Sequence, residues 1–569
     1  MANEIITPMA LWRDFDDTLP LKATVLNQSS LSDVTIEEIY FSGRQTKSGR
    51  VRIYGMNFRP REKDICGNLL ILNDVFSGVD KSLALHFAKL GLNVLSVDLR
   101  GAENSEQNYT KYPSDVSYAN AENTRNTFYY CDNGAKETCW YEWVAVAKYA
   151  VKYLKSVGQE KPMTAVGVKY GSNVLWQLTM LEQDLKGSVY LFGCGWLAYK
   201  NISKYGEKQI EMNDERYKYL AAVDAQAYAQ YAQNKTLYIT SLNSSEFDVD
   251  RACDTLLRVP SQDAVFSDFA PAADEALDGE LLTTVDEFIK AVNASGKFSF
   301  KKTPQIKIDV DGDEFFANVT ATVFGEVKTA TCYYAYNAPI SNVRAWLKRG
   351  DFEKTENEKS GTVFKFNLPV YGDVNLIHAY VEVEYEDGVK LSSKILSLNA
   401  TIKSPVPCPA VLYGAGGLNA EFIECVDGEK SINADKYAGF DGANYREAFV
   451  DKNVFETDDT PLNIKGVKIS GCAAKTYAVR RLTKKPTESS VIKFDVYVDA
   501  AADLIITLET ERGNFDYSIT LPSGKSWQNL TLTAGDFKND KQVDYAGEDL
   551  LSLKFAVKGA AVINNVLFL

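Results

Sequence analysis

Short apolar runs alternate with amphipathic stretches along the first half of the chain. Helical spacing of apolar residues falls at residues 81–90, 137–157, 172–183, 213–233 and 283–292. Between these segments lie apolar runs that predict strands buried on both faces, at residues 68–73, 93–98, 163–168, 187–192, 236–241 and 263–268. Two earlier runs, 34–43 and 51–58, predict an antiparallel hairpin. This alternation is typical of an α/β sheet with helices on both faces.

The helical spacing stops at about residue 296, and two further regions follow. Alternating stretches up to residue 400 predict an Ig-like β-sandwich. Three prolines, Pro405, Pro407 and Pro409, mark a stiff linker. Beyond them, six more strands predict a jelly roll, at residues 491–498, 503–511, 517–521, 528–532, 551–557 and 561–569. The multidomain chain is therefore predicted to divide into residues 1–295, 296–403 and 404–569, which suits its 569 residues.

Composition narrows the classes of partner. The formal net charge of −14 disfavours nucleic acids and anionic membranes, because both are polyanions. No apolar run approaches the roughly 20 residues that cross a bilayer, and the first residues lack the features of a signal peptide. We expect a cytoplasmic protein, or a secreted one if a signal peptide has been removed. The nine scattered cysteines favour reduced thiols, and the sequence predicts neither a cofactor nor a metal ion.

One strand-turn-helix segment has the spacing of a nucleophile elbow. In Gly167-Val168-Lys169-Tyr170-Gly171, two glycines flank a central residue as in the G-x-S-x-G motif, which lifts a nucleophile above the sheet. Here the central residue is a lysine. Together with the hairpin and the order of strands and helices, residues 34–293 resemble α/β hydrolases of the acetylxylan esterase and dienelactone hydrolase kind.

The resemblance assigns a position to each part of a hydrolase site. Lys169 takes the nucleophile position, and the oxyanion donors become the backbone N–H of Tyr170 and of a residue near Asp74 or Val75. The catalytic acid falls on one of three aspartates, Asp248, Asp250 or Asp254. The base would be a histidine near residues 268–273, where the sequence has none. The resemblance thus implies a degenerate site.

Neither histidine of the chain is placed to act as that base. His86 lies on a predicted helix and His378 in a predicted strand of the second region, and both are expected to be structural. Ser172 follows Lys169 by three positions, so a Ser–Lys pair is one alternative. In the other alternative, Ser172 packs or caps the helix and Lys169 pairs with a carboxylate of residues 248–254. We favour the second.

Weaker motifs have structural explanations that we prefer. The segment from Asp309 to Glu314 is similar to a calcium loop, but its glycine is misplaced, and a hairpin turn is expected. The acidic group at Glu246, Asp248 and Asp250 is expected to be a solvated loop, and Trp140 and Trp143 to pack on the sheet.

Residues 526–537 and 562–568 resemble the closing strands of galactose-binding-like domains, many of which bind carbohydrates or calcium. Packing is the expected role of Trp527 in this segment. Sugar binding needs exposed aromatic side chains beside amides or carboxylates, and the sequence leaves open whether Trp527 is exposed.

Three functions follow from these observations. The favoured one is a non-catalytic hydrolase-fold protein that serves in binding a glycan or small neutral ligand, or in homo-oligomer assembly. The alternatives are an active acetylxylan-esterase-like carbohydrate esterase with an atypical site, and a structural self-assembling protein.

Overall fold

The computed structural model describes most of the chain. The described residues are 5–61, 64–102, 107–158, 160–200, 202–206, 209–244, 246–270, 277, 279–311, 316–341, 344, 346–350, 352–357, 361–370, 373–403, 410–413, 424–427, 430–431, 454–464, 466–476, 479, 486–510 and 512–568.

The first region is built on a mixed sheet. Its strands in chain order are β1 (Thr24–Leu31), β2 (Val34–Gln45), β3 (Arg50–Pro60), β4 (Gly67–Leu72), β5 (Leu92–Val97), β6 (Met163–Val168), β7 (Leu185–Leu191), β8 (Lys235–Ser241) and β9 (Val265–Ala270). Among the described residues these nine strands pair in the spatial order β1-β2-β3-β5-β4-β6-β7-β8-β9. The pairs from β1 to β3 and the β3–β5 pair are antiparallel, and the pairs from β5 to β9 are parallel. This is an α/β-hydrolase-like sheet.

Helices cover both faces of this sheet. They are α1 (Pro8–Trp12), α2 (Lys81–Lys89), α3 (Cys139–Val157), α4 (Tyr170–Leu181), α5 (Asp214–Ala222), α6 (Val249–Leu257) and α7 (Gly279–Asn293). One hydrophobic cluster joins α3 and α4 to one face, and a second joins α2 and α7 to the other. Strands β4 and β5 are buried along their whole length, as expected of parallel strands covered on both faces.

One prediction for this region is wrong, and one strand is missing from the predictions. The helix predicted at residues 213–233 ends at Ala222, because the chain turns there into short 3₁₀ turns capped by the Asp224 carboxylate. Strand β1 was not predicted, and all of its eight residues are exposed.

The second region consists of antiparallel sheets. Its strands are β10 (Gln305–Asp311), β11 (Phe316–Val323), β12 (Val327–Tyr336), β13 (Leu347–Arg349), β14 (Glu353–Asn357), β15 (Gly361–Pro369), β16 (Asp373–Tyr385), β17 (Lys390–Ser392) and β18 (Leu396–Lys403). In the described part, one sheet has the order β10-β11-β15-β14, and the other has β13-β12-β16-β17 with β18 paired to β16. Their apolar side chains share one cluster with α2 and α7.

The third region has its own core. Its strands are β19 (Ala410–Tyr413), β20 (Glu424–Asp427), β21 (Lys430–Ser431), β22 (Val454–Thr457), β23 (Gly466–Ser470), β24 (Ala473–Thr476), β25 (Val491–Tyr497), β26 (Ala502–Thr510), β27 (Gly513–Leu521), β28 (Gln528–Thr533), β29 (Leu550–Lys558) and β30 (Ala560–Phe568). The described strands form two antiparallel sheets, β22-β23-β30-β25-β28 with β19 on β30, and β21-β20-β24-β29-β26-β27. Phe494 and Phe555 meet between them, with ring centroids 5.2 Å apart. The Ig-like and jelly-roll assignments and the exact domain boundaries stay predictions.

Polar contacts join the first two regions. Ser392 on β17 accepts a hydrogen bond from the Phe269 backbone N–H (3.1 Å) and, through its carbonyl, from the Ser267 hydroxyl (2.8 Å). The Arg344 guanidinium forms two hydrogen bonds with the Asp250 carboxylate at 2.9 and 2.7 Å, and both side chains are buried. The β9 edge of the first sheet is therefore covered, whereas the opposite edge is β1. Among the described helices, none is long and apolar enough to cross a bilayer.

Candidate active site

The backbone at Lys169 has the shape of a nucleophile elbow. Its φ of 49° and ψ of −119° lie where a residue with a side chain is strained, and helix α4 begins at the next residue. The Lys169 N–H donates to the Leu191 carbonyl at 2.7 Å, which ties the turn to the neighbouring strand. The sharp turn that presents a nucleophile is therefore present, with a lysine at its tip.

The flanking glycines are required by close packing of this turn. A Cβ on Gly171 would lie 2.2 Å from the Leu72 carbonyl oxygen, and one on Gly167 would lie 2.6 Å from the Ser172 Cα. Both distances are shorter than any real Cβ contact, so only glycine fits without a shift of backbone. The glycine pattern in the sequence thus reflects the geometry of the elbow.

The Asp74 carboxylate is influenced by backbone N–H groups that the resemblance assigned as oxyanion donors. Burial raises the pKa of Asp74 to about 6, and the Lys169 ammonium and the backbone N–H groups of Phe76, Tyr170 and Val75 oppose that rise. The resemblance assigned the oxyanion donors to the N–H of Tyr170 and of a residue near Asp74 or Val75. These N–H groups thus act on a carboxylate of the protein itself.

Aromatic side chains cover the elbow. The Tyr170 ring is buried and has ring contacts with Phe76 (5.6 Å), Phe128 (4.9 Å) and Phe247 (5.2 Å). Its hydroxyl donates to Glu246 Oε2 at 2.5 Å. Aromatic side chains of four separate segments therefore meet around Tyr170.

An ion pair completes this cover. The Lys200 ammonium lies 2.5 Å from Glu246 Oε2 and 3.2 Å from the Tyr170 hydroxyl. Burial raises the pKa of Glu246, but Lys200, the Tyr170 hydroxyl and Lys169 outweigh it, so the net pKa is lowered. Glu246 is thus held as a carboxylate between two lysines.

A small cavity lies beside the Lys200–Glu246 pair. It measures about 30 Å³, and its lining includes Trp196, Lys200, Glu246, Phe247 and Arg251. Ligand pockets usually measure about 300–1,000 Å³, whereas this cavity has room for a water molecule or two.

Ser172 lies inside the protein below the elbow. Its side chain is fully buried, and its hydroxyl is 2.6 Å from the Gly167 carbonyl oxygen and 2.9 Å from that of Leu191. The hydroxyl also accepts the Leu191 N–H at 3.0 Å. These contacts give Ser172 a packing role that ties α4 to β6 and β7.

The three candidate acids are engaged by other groups. Asp248 caps α6 and accepts the Lys204 N–H at 2.7 Å, and Asp254 lies 2.8 Å from the Lys204 ammonium. Burial raises the pKa of Asp250, but Arg344 outweighs that effect and lowers it overall. The Lys169 charge favours the ionised forms of Asp74 and Glu246. The predicted pairing of Lys169 with a carboxylate of residues 248–254 stays a prediction.

Both histidines have partners away from the elbow. His86 on α2 pairs with Asp286 on α7 at 2.9 Å. His378 on β16 is buried with its Nδ1 2.7 Å from the Ser397 hydroxyl, and burial and the Arg344 charge lower its pKa to about 3. Their structural roles agree with the sequence predictions. The position of the missing base extends into residues 271–273, which lie outside the described residues.

Several residues that surround the Tyr170 side chain were not predicted from the sequence. Phe76, Phe128 and Lys200 come from loops far apart in the chain, and no local motif marks them. The Asp74 side chain was also missed, since only the backbone near it was considered. An acidic residue directly after the predicted strand at residues 68–73 was the one available signal.

Among the weaker motifs, the solvated loop predicted at Glu246, Asp248 and Asp250 is wrong, because Asp248 caps α6 and Asp250 lies on that helix, buried against Arg344.

The other motifs make structural contacts where they are described. Trp140 and Trp143 are buried and donate to the carbonyls of Phe128 (2.9 Å) and Ala119 (2.8 Å). Strands β10 and β11 pair as antiparallel neighbours, and residues 312–315 between them lie outside the described residues. No group of three or more metal-ligating side chains is found in the described ranges.

Known structures similar to this chain are hydrolases, at low identity. An acetyl xylan esterase from a Paenibacillus species is 14% identical, with 50% of this chain and 92% of that chain covered, at a TM-score of 0.38. An acetyl xylan esterase from a Thermoanaerobacterium species is 14% identical, with 47% of this chain and 87% of that chain covered, at a TM-score of 0.34. The Pyrococcus horikoshii acylaminoacyl peptidase is 12% identical, with 49% and 51% covered, at 0.34. No family model and no curated protein sequence matches the chain.

Proposed function

We propose that this chain is a non-catalytic α/β-hydrolase-fold protein, whose function lies in binding or assembly. The main support is the conformation of the elbow, where Lys169 stands at the nucleophile position of the motif with a φ of 49°. In addition, the backbone N–H of Tyr170 acts on the Asp74 carboxylate. In this proposal, groups of the protein itself take the two positions that the resemblance assigns to the nucleophile and the oxyanion. A carboxylate at the oxyanion position disfavours a second negative charge there.

The absent base supports the same proposal. A serine nucleophile needs a general base within hydrogen-bond reach, which contributes about 10²–10⁴-fold to the rate. His86 is paired with Asp286, and His378 lies on the second region's β16. The alternative, an active esterase with an atypical site, would need Ser172 to leave its buried hydrogen bonds.

An ester-hydrolysis assay tests the proposal. We expect no turnover of p-nitrophenyl acetate or acetylated xylan above the buffer rate by the wild type. We also expect none by Lys169→Ser, because that variant gains a hydroxyl but no base. Turnover by the wild type that Ser172→Ala abolishes would establish the esterase alternative.

Strand β1 favours homomeric assembly as a second candidate function. Its eight residues are exposed at the edge of the sheet, and they include Val25 (52% exposed), Leu26 (44%) and Leu31 (51%). None of these eight residues is charged, although the whole chain has a formal net charge of −14. A second copy of this strand can therefore approach without charge repulsion and pair through its free edge.

Light scattering over a concentration series tests this assembly. We expect self-association at micromolar concentration that Leu26→Lys abolishes, since a charged edge strand resists pairing. The matched control is Leu257→Lys, which changes another exposed leucine, outside the sheet. A wild-type chain that stays monomeric throughout the series excludes assembly through β1.

A further inference from the structure

The loop before helix α3 contains the one Asn-Gly pair of the sequence, Asn133-Gly134. Asn133 is exposed, whereas Cys131 before it and Ala135 after it are buried. The Cys131 N–H donates to the Glu215 carbonyl at 3.3 Å, which fixes the loop against α5. The Asn-Gly pair is therefore exposed to solvent in a loop that is anchored on both sides.

The polar groups of this pair are not held by hydrogen bonds. In the part of the chain that the structure describes, neither the Asn133 side chain nor the Gly134 N–H has a hydrogen-bond partner. A backbone nitrogen whose N–H is not held by an acceptor is available to the side chain of the preceding residue. Asparagine is one of the thermolabile residue types of proteins, because its side-chain amide is open to such an attack.

The surroundings of Gly134 are open. A Cβ built on Gly134 would have no atom of the described structure within 4 Å, its chain neighbours apart. The backbone of Gly134 is extended, with φ −164° and ψ 161°. Glycine also has no side chain that shields its own nitrogen. Neighbouring atoms therefore do not hinder a rearrangement at this peptide bond.

An Asn-Ser pair elsewhere in the first region has the opposite arrangement. Asn243, which precedes Ser244, is buried. Its Nδ2 donates to the carbonyls of Ser341 at 3.1 Å and Arg344 at 2.8 Å. These two bonds hold the Asn243 amide in the interior, so this pair is an internal reference for the exposed one.

We propose that Asn133 is a site of spontaneous deamidation, in which the Gly134 nitrogen attacks the side-chain carbonyl carbon of Asn133. A bond forms between that nitrogen and that carbon, the nitrogen gives up its proton, and the side-chain nitrogen leaves as ammonia. Water then opens the resulting succinimide ring at either of its carbonyls, which yields aspartate or isoaspartate at position 133. One water molecule is consumed and one ammonia molecule is released, so the reaction needs no oxidant, metal ion or enzyme.

The modification changes both the charge and the path of the main chain. Each product places a carboxylate next to Asp132, where the unmodified chain has a neutral amide. The isoaspartate product also adds a methylene group to the main chain directly before Gly134, whose carbonyl accepts the Glu137 N–H at 2.9 Å. Thr138 follows this turn and caps α3 with its hydroxyl. We therefore expect the isoaspartate form to unfold at a lower urea concentration than the unmodified chain.

Peptide mapping by mass spectrometry, after incubation of the folded wild-type chain in heavy-oxygen water at mildly alkaline pH, tests the proposal. We expect the peptide that contains Asn133 to convert into two products with different retention times. Each product is heavier by the difference between an amide and a carboxylic acid and carries the oxygen label, which shows that it formed during the incubation. The same chain unfolded in urea gives the rate of an unrestrained Asn-Gly pair, and we expect the folded chain to react at a comparable rate.

Two variants separate the reaction from the fold. Gly134→Ala keeps Asn133, and its Cβ suits the extended backbone and the open surroundings. We expect this variant to have the urea midpoint of the wild type and a severalfold slower conversion, because the added side chain shields the attacking nitrogen. Asn133→Ser removes the amide, and no product is expected at this position. The peptide that contains Asn243 is expected to stay unchanged in the folded chain.

Three results would overturn the proposal. In the first, the Asn133 peptide of the folded chain stays unchanged while that of the urea-unfolded chain converts, so the fold restrains the pair. In the second, Gly134→Ala converts at the rate of the wild type, so the glycine nitrogen is not the group that limits the reaction. In the third, the Asn243 peptide converts as fast as the Asn133 peptide, so exposure does not select the site.

Discussion

The strain at the elbow can be measured with a pair of substitutions at Lys169. Both Lys169→Gly and Lys169→Ala remove the ammonium group, so they lose the same attraction to Asp74 and Glu246. They differ only by a Cβ. At φ 49° and ψ −119° that Cβ is unfavourable, so the glycine variant is expected to be the more stable of the two.

The magnitude follows from two opposing effects. Relief of a strained backbone is worth about 1–3 kcal/mol. Glycine offsets about 0.5–1 kcal/mol of this gain, because its unfolded chain has more conformational freedom to lose on folding. The expected free energy of unfolding is therefore larger for Lys169→Gly than for Lys169→Ala by about 1 kcal/mol, within a range of about 0–2.5 kcal/mol.

Urea unfolding monitored by tryptophan fluorescence is the assay. The signal reports chiefly on the first region, because five of the seven tryptophans, Trp12, Trp140, Trp143, Trp176 and Trp196, lie there.

The control is the same pair of substitutions at Lys200, which has an ordinary φ of −51°. There the alanine variant is expected to be the more stable, by about 0.5–1 kcal/mol. If alanine also matches or exceeds glycine at position 169, the chain does not hold the elbow conformation and the reasoning fails.

Three further predictions follow from buried contacts. Burial raises the pKa of Asp268 from 3.8 to about 8. Between these two pH values the folded chain keeps a proton on Asp268 that the unfolded chain loses. The contribution of the protonated Asp268 to the free energy of unfolding therefore falls as the pH rises from 3.8 to about 8. Asp268→Asn should therefore show a smaller drop in Tm between about pH 5 and 8, and an unchanged drop contradicts the assignment. Arg344→Met leaves the Asp250 carboxylate buried without its guanidinium and should lower the free energy of unfolding by about 3–5 kcal/mol. Adding Asp250→Asn should recover part of that loss in a double-mutant cycle, and strict additivity would argue against the pair. Gly171→Ala places a Cβ 2.2 Å from the Leu72 carbonyl oxygen. It should lower the free energy of unfolding, measured in urea, by about 1–3 kcal/mol. An unchanged free energy would show that the elbow can shift to accept the Cβ.

Much of the first region could be predicted from its sequence. The strand at residues 163–168 has the bounds of β6, and the predicted helix at residues 81–90 differs from α2 by one residue. Parallel strands covered on both faces leave continuous apolar runs, which are a strong signal. Strand β1 gave no such signal, because its residues face solvent on both sides and need no apolar alternation.

The residue at the tip of the elbow could be predicted from the sequence, but the charged groups around it could not. The glycine frame identified the position of Lys169, since the close approach of the backbone there admits no Cβ. The charges that act on one another around Lys169 could not be derived. Asp74 and Glu246, whose pKa values respond to the Lys169 charge, lie more than 70 residues away on either side of it in the chain. Tertiary contacts of this kind leave no trace in local spacing.

Intact-mass analysis after treatment with a fluorophosphonate probe tests the central claim most directly. The probe labels activated serines, and an activated serine requires a base that the elbow lacks. We predict that the mass of the wild-type chain stays unchanged at long incubation, as does that of Ser172→Ala. A single stoichiometric adduct on the wild type that is absent from Ser172→Ala would contradict the account, because it would show that Ser172 is an active nucleophile.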